Sequence, residues 1–358
     1  MKLLLLSPGA SYSTADVEAG LRYGLEHHGV QVVRYRLDAR IAASKSWLFY
    51  NWRQAKKQNP LIEKPNNHDV FYNAGIGALP MALRHQVDCV LVVSGMFLHP
   101  DIVILMKRAG LKVTVLLTES PYDDKELTFA GMVDGCWTNE RSSLQAFRNV
   151  NPCSGYIPHG WHPDRHKTGP QPGDEDVPAH DVVFVGTGFQ ERIDFLHDIN
   201  WDGIDLGLYG TWEGLGSNNK LRKHLRDGPV PNDKAAALYR RAKINLNIYR
   251  ASKGWGKDAV RVTHAESINP RGYELAACGA FHLSTYRSEV KDVFGDLVPT
   301  FTAPDEAEAL IRSWLDDPEG RTQVARALPA RVAESSWSER ATGIIGDIQT
   351  LMGRSVAA

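Results

Sequence analysis

The sequence is poor in the features that mark the simpler function classes. Among 358 residues there are only four cysteines, Cys89, Cys136, Cys153 and Cys278, and no two stand at C-x-x-C spacing. They lie in apolar runs, which predicts buried, reduced thiols and gives a zinc site no support. No charge excess exists either. Lys and Arg number 41 against 42 Asp and Glu, so the chain as a whole advertises no polyanionic partner, and any such preference must be local. Long hydrophobic runs are missing too. The opening "MKLLLLSPGAS" imitates a signal peptide, but its leucine run is too short for the apolar core of one, and Gly and Ser follow at once. A first buried strand is the better reading, with no membrane insertion and a soluble, cytoplasmic protein. With no cluster of metal ligands, neither a metal nor a resident cofactor is expected.

What is present is the composition of an ordinary globular protein, 43% hydrophobic and 23% charged. The length exceeds one core and predicts two domains of roughly 150–180 residues each. Short apolar runs alternate with amphipathic stretches along the chain, the pattern of parallel α/β units. In the first half the strand candidates are 2–6, 30–35, 87–94, 111–117, 135–139 and 154–158. Residues 162–180, "HPDRHKTGPQPGDEDVPAH", are rich in Pro, Gly and charge and carry no periodicity. A second series follows at 180–186, 204–210, 242–249, 280–284 and 297–301. The expectation is two Rossmann-like, doubly wound domains facing each other across a cleft. The first spans 1–165 together with a terminal helix in 336–358, the linker 166–179, and the second domain 180–335. In such sheets ligands bind beyond the carboxyl ends of the strands, at helix N-termini.

Four stretches there carry chemistry. In "VVFVGTGFQER" a buried strand runs into Gly186, Thr187 and Gly188, with Arg192 in the helix behind. The glycines would let backbone N–H groups approach a phosphate; the alternative is a tight strand-to-helix turn. In "ESINPRGYELAACGAF" Asn269 suits a helix cap, Pro270 the first helical position and Gly279 the exit. Arg271 and Glu274 then share one face, able to hold a diphosphate and the hydroxyls of a ribose, or to form a plain surface ion pair. Glu119 in "LLTESPYDD" directly follows a strand of the first domain. It could act as a general base, orient an acceptor, or cap a helix. Between Arg34 and Lys64, eight basic residues (Arg34, Arg36, Arg40, Lys45, Arg53, Lys56, Lys57, Lys64) meet two acids (Asp38, Glu63), with Trp47, Phe49, Tyr50 and Trp52 interleaved. Trp47, Tyr50, Trp52, Arg53 and Lys56 would suit nucleotides, anionic glycans or a lipid surface, unless the stretch is a packing helix with solvated lysines.

The order of motifs resembles group 1 glycosyltransferases of the GT-B fold, in particular the CgeB-like branch named after a spore-maturation protein. The resemblance rests on "YIPHGWHP", "DVVFVGTGFQERIDFL", "LYG", "YRRAKINLNIY", "SINPRGYELAACGAF" and "FTAPDEAEALIRSWLDDPEGR", in that order over about 156–320. It implies a nucleoside-diphosphate sugar as co-substrate, held mainly by the C-terminal domain at Gly186, Thr187, Gly188, Arg192, Asn269, Arg271, Gly272, Tyr273 and Glu274. It also implies metal-independent transfer and a last helix returning to the N-terminal domain. Glu266 and Glu274 match the E-x7-E spacing of many retaining members, which leans towards retention. An inverting reaction would instead need a base such as Glu119 or Asp16.

The branch name points to a protein or surface-glycan acceptor, as in a spore coat. The basic-aromatic segment points to an anionic one such as hydroxymethylated phage DNA, which would place the enzyme in a host's cytoplasm. A nucleotide-sugar epimerase and a non-catalytic nucleotide-sugar-binding module share the fold and stay open. The oligomeric state is not legible.

Overall fold

Strands form where apolar residues run without a break, because a parallel sheet covered on both faces has no solvent side to which polar residues could alternate. Leu3 to Leu6 and Cys89 to Val93 are such runs, each residue at most 1% exposed. The computed structural model describes residues 1–9, 14–226, 228, 230–250, 252–253, 260–261 and 265–354. The chain divides into two units, one of Met1–Ile157 plus the chain from Ser338 onward, the other of Pro158–Trp337.

In the first unit β1 (Lys2–Ser7) leads through α1 (Ala15–His27) to β2 (Gln31–Arg36). Three helices follow, α2 (Asp38–Gln58), α3 (Asn67–Gly75) and α4 (Ala78–His85), before β3 (Cys89–Val93). Strands and helices then alternate through α5 (Pro100–Arg108), β4 (Lys112–Leu117) and α6 (Asp124–Met132). The series closes with β5 (Gly135–Thr138), α7 (Leu144–Val150) and β6 (Ser154–Tyr156). Every pairing is parallel, in the order β2-β1-β3-β4-β5-β6.

The second unit repeats the logic with β7 (Val182–Val185), α8 (Gln190–His197), β8 (Leu206–Tyr209), α9 (Asn232–Arg241) and β9 (Ile244–Asn247). A small antiparallel hairpin of β10 (Ser252–Lys253) and β11 (Val260–Arg261) interrupts the alternation. Then come α10 (Pro270–Ala277), β12 (His282–Thr285), α11 (Ser288–Phe294), β13 (Thr300–Phe301), α12 (Pro304–Leu315) and α13 (Pro318–Arg331). The sheet order is β13-β12-β9-β7-β8, again parallel throughout. From adjacent β7 and β9 the chain leaves in opposite directions, so the loops behind them open a crevice at the sheet's switch point.

The last helix, α14 (Trp337–Leu351), packs into the first unit, where Trp137 Nε1 donates to Asp347 Oδ2 at 2.7 Å. Of the assigned terminal segment 336–358, residues 355–358 lie outside the described residues. Two expectations need correction. The segment 166–179, taken as a linker, is folded into the second unit. There His166 is 5% exposed, and Asp174 accepts from Arg240 at 2.6 and 2.8 Å with both side chains under one-tenth exposed. Its Pro and Gly content shapes a packed irregular segment. Of the cysteines, Cys89, Cys136 and Cys278 are buried but Cys153 is exposed, because it follows the turn that leaves α7.

Candidate functional site

The switch point of the second sheet gathers positive charge around two phenylalanines. Phe184 belongs to β7 and Phe189 to the loop behind it. The Arg192 guanidinium lies over both rings, 5.4 Å from Phe184 and 5.1 Å from Phe189. Arg271 covers Phe184 at 4.9 Å, and Arg250 covers Phe189 at 4.6 Å. Cation–π contact and hydrogen bonds keep these like charges in place. Arg192 Nη1 donates to the Thr187 carbonyl at 2.9 Å, and Arg271 Nη1 to Asn247 Oδ1 at 3.4 Å. Arg192 is 6% exposed. Burial, with Arg271 and Arg250 nearby, depresses its pKa to about 9 although Glu191 opposes the shift. A site in which cationic groups are held against their own repulsion is arranged for an anion.

The helix behind this cluster is built for the same corner. Asn269 caps α10, its Oδ1 accepting from the Gly272 N–H at 3.0 Å, and Pro270 takes the first helical position. At the far end Gly279 has φ of +63°, the left-handed exit that favours glycine. Arg271 and Glu274 stand three residues apart on α10, and the charges of both act on buried Tyr239. The two therefore share one helix face, and each is half-buried.

The glycines act differently from the sequence reading. The N–H groups of Gly186 and Gly188 donate to Tyr209 and Thr211 carbonyls at 2.9 and 2.8 Å, which commits them to the end of β8 and the chain just after it and not to a phosphate. Their lack of a side chain is still required. A Cβ at 186 would lie 2.4 Å from Arg271 Nη2, and one at 188 would lie 2.2 Å from the Trp212 ring. A Cβ on Gly272 would meet Ile268 at 2.5 Å, so what approaches that first turn is Ile268, not a ligand. Tyr273 also needs correction as a donor contact: it is 1% exposed and packs with Tyr249, Ile268, Val290 and Phe294. Glu266 is exposed ahead of α10, its carbonyl accepting from the Glu289 N–H at 3.2 Å.

In the first unit Glu119 follows β4 and is half-buried, and Asp16 lies in the first turn of α1 behind β1. Their strands are separated by β3 in the sheet order. Helix α2 is a surface helix: of its 21 residues only Ser44 is buried. Trp47 and Tyr50 are 59% and 62% exposed. Trp52 is engaged with its own chain, donating to the Ile62 carbonyl at 3.2 Å beneath the Lys56 ammonium, 4.9 Å from its ring. Arg53 and Lys56 are exposed.

Asn247, Arg250 and Glu140 escaped the sequence reading. Asn247 hides in the strand pattern "INLNIY", where polar residues at alternate positions were the signal. Arg250 stands three residues past the same strand. Glu140, 3% exposed behind β5, accepts from the Ser142 N–H at 3.2 Å and hydroxyl at 2.9 Å. Among the described residues, no group of three His, Cys, Asp or Glu is placed to hold a metal ion, and no helix is long and apolar enough to cross a membrane.

Residues 191–346 match the family model described as glycosyl transferase-like. The chain is similar to spore protein CgeB of Bacillus subtilis (strain 168), at 24% identity over 206 residues, 56% of this chain and 64% of that protein. Among solved structures it is similar to a UDP-forming alpha,alpha-trehalose-phosphate synthase from Burkholderia xenovorans, with a TM-score of 0.61 and 11% identity over 98% of this chain and 99% of that one. It is also similar to a Listeria monocytogenes protein described as a UDP-N-acetylglucosamine 2-epimerase, with a TM-score of 0.59 and 11% identity over 99% of each chain. The resemblance read from the motifs is borne out: residues 191–346 match the glycosyl transferase-like model, the chain has the GT-B fold, and it is similar to the CgeB branch.

Proposed function

We propose that the protein moves a sugar from a nucleoside-diphosphate sugar to an acceptor hydroxyl. The observation that carries this reading is the convergence of Arg192, Arg250 and Arg271 on Phe184 and Phe189 at the switch point of the second sheet. In the reaction the bond from the anomeric carbon to the diphosphate oxygen breaks and the oxygen keeps the electron pair. The acceptor oxygen bonds to that carbon and loses its proton. The barrier falls most where the new charge on the leaving diphosphate is met by donors already in place, and fixed guanidiniums supply this. They take the part a divalent cation plays elsewhere, which supports transfer without a metal. Glu274, on the same helix face as Arg271, is placed in the reading on the ribose hydroxyls.

The E-x7-E spacing of Glu266 and Glu274 supports retention, with the departing phosphate accepting the acceptor's proton. Inversion would call on Glu119 or Asp16. The exposed Trp47 and Tyr50 beside Arg53 and Lys56 support an anionic acceptor, hydroxymethylated DNA being one that offers stacking faces and phosphates together. Similarity to a spore protein favours a protein or surface-glycan acceptor as the second reading, and the Listeria fold neighbour keeps epimerisation as a third.

The test is a panel of nucleoside-diphosphate sugars with and without hydroxymethylated DNA or glycan acceptors, read as released diphosphate and as labelled acceptor. Transfer supports the reading. A panel giving no hydrolysis, no transfer and no thermal shift overturns it. Epimerised sugar without transfer selects the third reading.

A further inference from the structure

The last residue of β9 is an asparagine, 1% exposed, in the middle of the second sheet. A carboxamide buried there costs stability unless its polar atoms are used, so its partners are informative. Asn247 Oδ1 accepts twice, from Asn269 Nδ2 at 2.8 Å and from Arg271 Nη1 at 3.4 Å. The direction of both amides follows from the chemistry of their neighbours. Arginine only donates, so the atom facing Arg271 is the oxygen of Asn247. Asn269 spends its own oxygen on the Gly272 N–H at 3.0 Å, so it turns its nitrogen towards Asn247. The amide of Asn247 is thereby oriented with its Nδ2 left over. That nitrogen is buried without a partner, 3.3 Å from where a Cβ on Gly272 would stand, against the first turn of α10.

Apart from the buried Tyr249 hydroxyl, which can accept as well as donate, its neighbours have the same polarity. Arg192 Nε, Arg271 Nε and Trp212 Nε1 are also buried without partners, and each belongs to a side chain lying against Phe184. All four are donors. A corner that over-supplies donors favours an acceptor-rich ligand, and a diphosphate offers oxygens that only accept.

We propose that Asn247 is a positioning residue of the donor site, joining the cap of α10 to the Arg271 guanidinium and keeping this corner rich in donors for a diphosphate. The inference rests on the donor reading above. It makes the direction of one amide the determinant of anion binding. Asn247→Asp keeps the shape and both accepted hydrogen bonds, and strengthens the one from Arg271 by adding a charge. It also replaces the spare donor by a negative oxygen, neutralises Arg271 and repels a diphosphate. Fold and function should therefore part company in this variant. Asn247→Ala removes the acceptor and should weaken both.

The experiment uses the full chain, with UDP, GDP and ADP titrated by calorimetry and melting followed without ligand. The expected result is that the nucleotide bound best by the wild type binds Asn247→Asp at least tenfold more weakly, while the melting temperature stays level or rises. Wild-type affinity in a folded Asn247→Asp protein overturns the inference. Should that variant fail to fold, Asn247→Ser replaces it, and wild-type affinity there overturns the inference equally. A wild type that binds none of the three nucleotides overturns the donor reading itself, a result distinct from loss confined to the variant.

Discussion

Gly186 leaves open the space that the Arg271 guanidinium fills: a Cβ on residue 186 would stand 2.4 Å from Arg271 Nη2. The loop behind β7 is thus shaped around a side chain delivered by α10, and the two motifs form one device. Gly186→Ala should push the guanidinium off Phe184 and lower nucleoside-diphosphate affinity about tenfold, roughly 1.4 kcal/mol. Calorimetric titration checks this, and an unchanged dissociation constant would separate the two motifs again.

Arg192 is a cation buried beside two others, which the unliganded fold tolerates at a cost. Arg192→Met keeps much of the volume and removes a buried charge with its desolvation cost and its repulsion from Arg271 and Arg250, which offsets the loss of the hydrogen bond to Thr187. The unliganded variant should melt level with the wild type or a few degrees above, about 2–4 °C for each kcal/mol gained. The thermal shift on adding nucleoside diphosphate should disappear. A variant that melts lower yet keeps the full shift would show that Arg192 only supports the loop.

Two buried histidines set an acid limit. Burial draws His282 down to about 4, and burial with His162 and Arg165 nearby draws His166 down to about 3. Below pH 6.5 the unfolded chain takes up protons that the folded chain refuses, so stability falls with pH and levels off only beneath the folded values. The slope is about 1.4 kcal/mol per pH unit for each histidine. Above pH 6.5 neither contributes. Melting between pH 7 and 4 should steepen accordingly, and His282→Asn should flatten the slope. An identical slope in that variant would acquit His282.

The buried pair in the former linker adds a term of the same sign. The Arg240 guanidinium beside Asp174 holds its carboxyl below the usual range. The stability this contributes is present above the unfolded value near 3.9 and is lost as pH falls through the folded one. Arg240→Ala leaves Asp174 buried and unpaired and should cost about 3–5 kcal/mol. Urea unfolding at pH 7 measures it; a loss below about 1 kcal/mol would mean that water replaces the arginine.

Trp47 and Tyr50 touch little of their own fold. Replacing both by Ala should leave urea stability within about 0.5 kcal/mol, as for other surface substitutions. Acceptor-dependent turnover should fall, with donor hydrolysis unchanged. If turnover on every acceptor tested survives, α2 has another purpose.

Most of the architecture was legible because buried parallel strands are continuous apolar words, as in "KLLLL" or "VDCVLVVS". The hairpin of β10 and β11 was not: two residues per strand carry no periodicity. At the site, Asn269, Arg271 and Glu274 could be read because cap, proline and helical spacing are local rules. Asn247 could not, since its meaning depends on Asn269, 22 residues away. The glycines were noticed for the right reason, scarcity of space, but sequence does not say whose atoms fill that space. Tyr273 failed likewise: an aromatic one step from Glu274 on a helix points elsewhere, here into the core.

The hydrogen bond between Asn247 and Asn269 has a consequence for how such a protein can diversify. Asn247 ends β9 and Asn269 caps α10, so the bond ties the end of the strand to the start of the helix 22 residues further on. Closing a longer loop costs only about 0.6 kcal/mol per doubling of its length. A change of length in the connection between Asn247 and Asn269 should therefore leave this bond and the arginine behind it in register. The joint of strand end, helix cap and Arg271 is thus set apart from the length of the chain between them, and the one can be kept while the other varies.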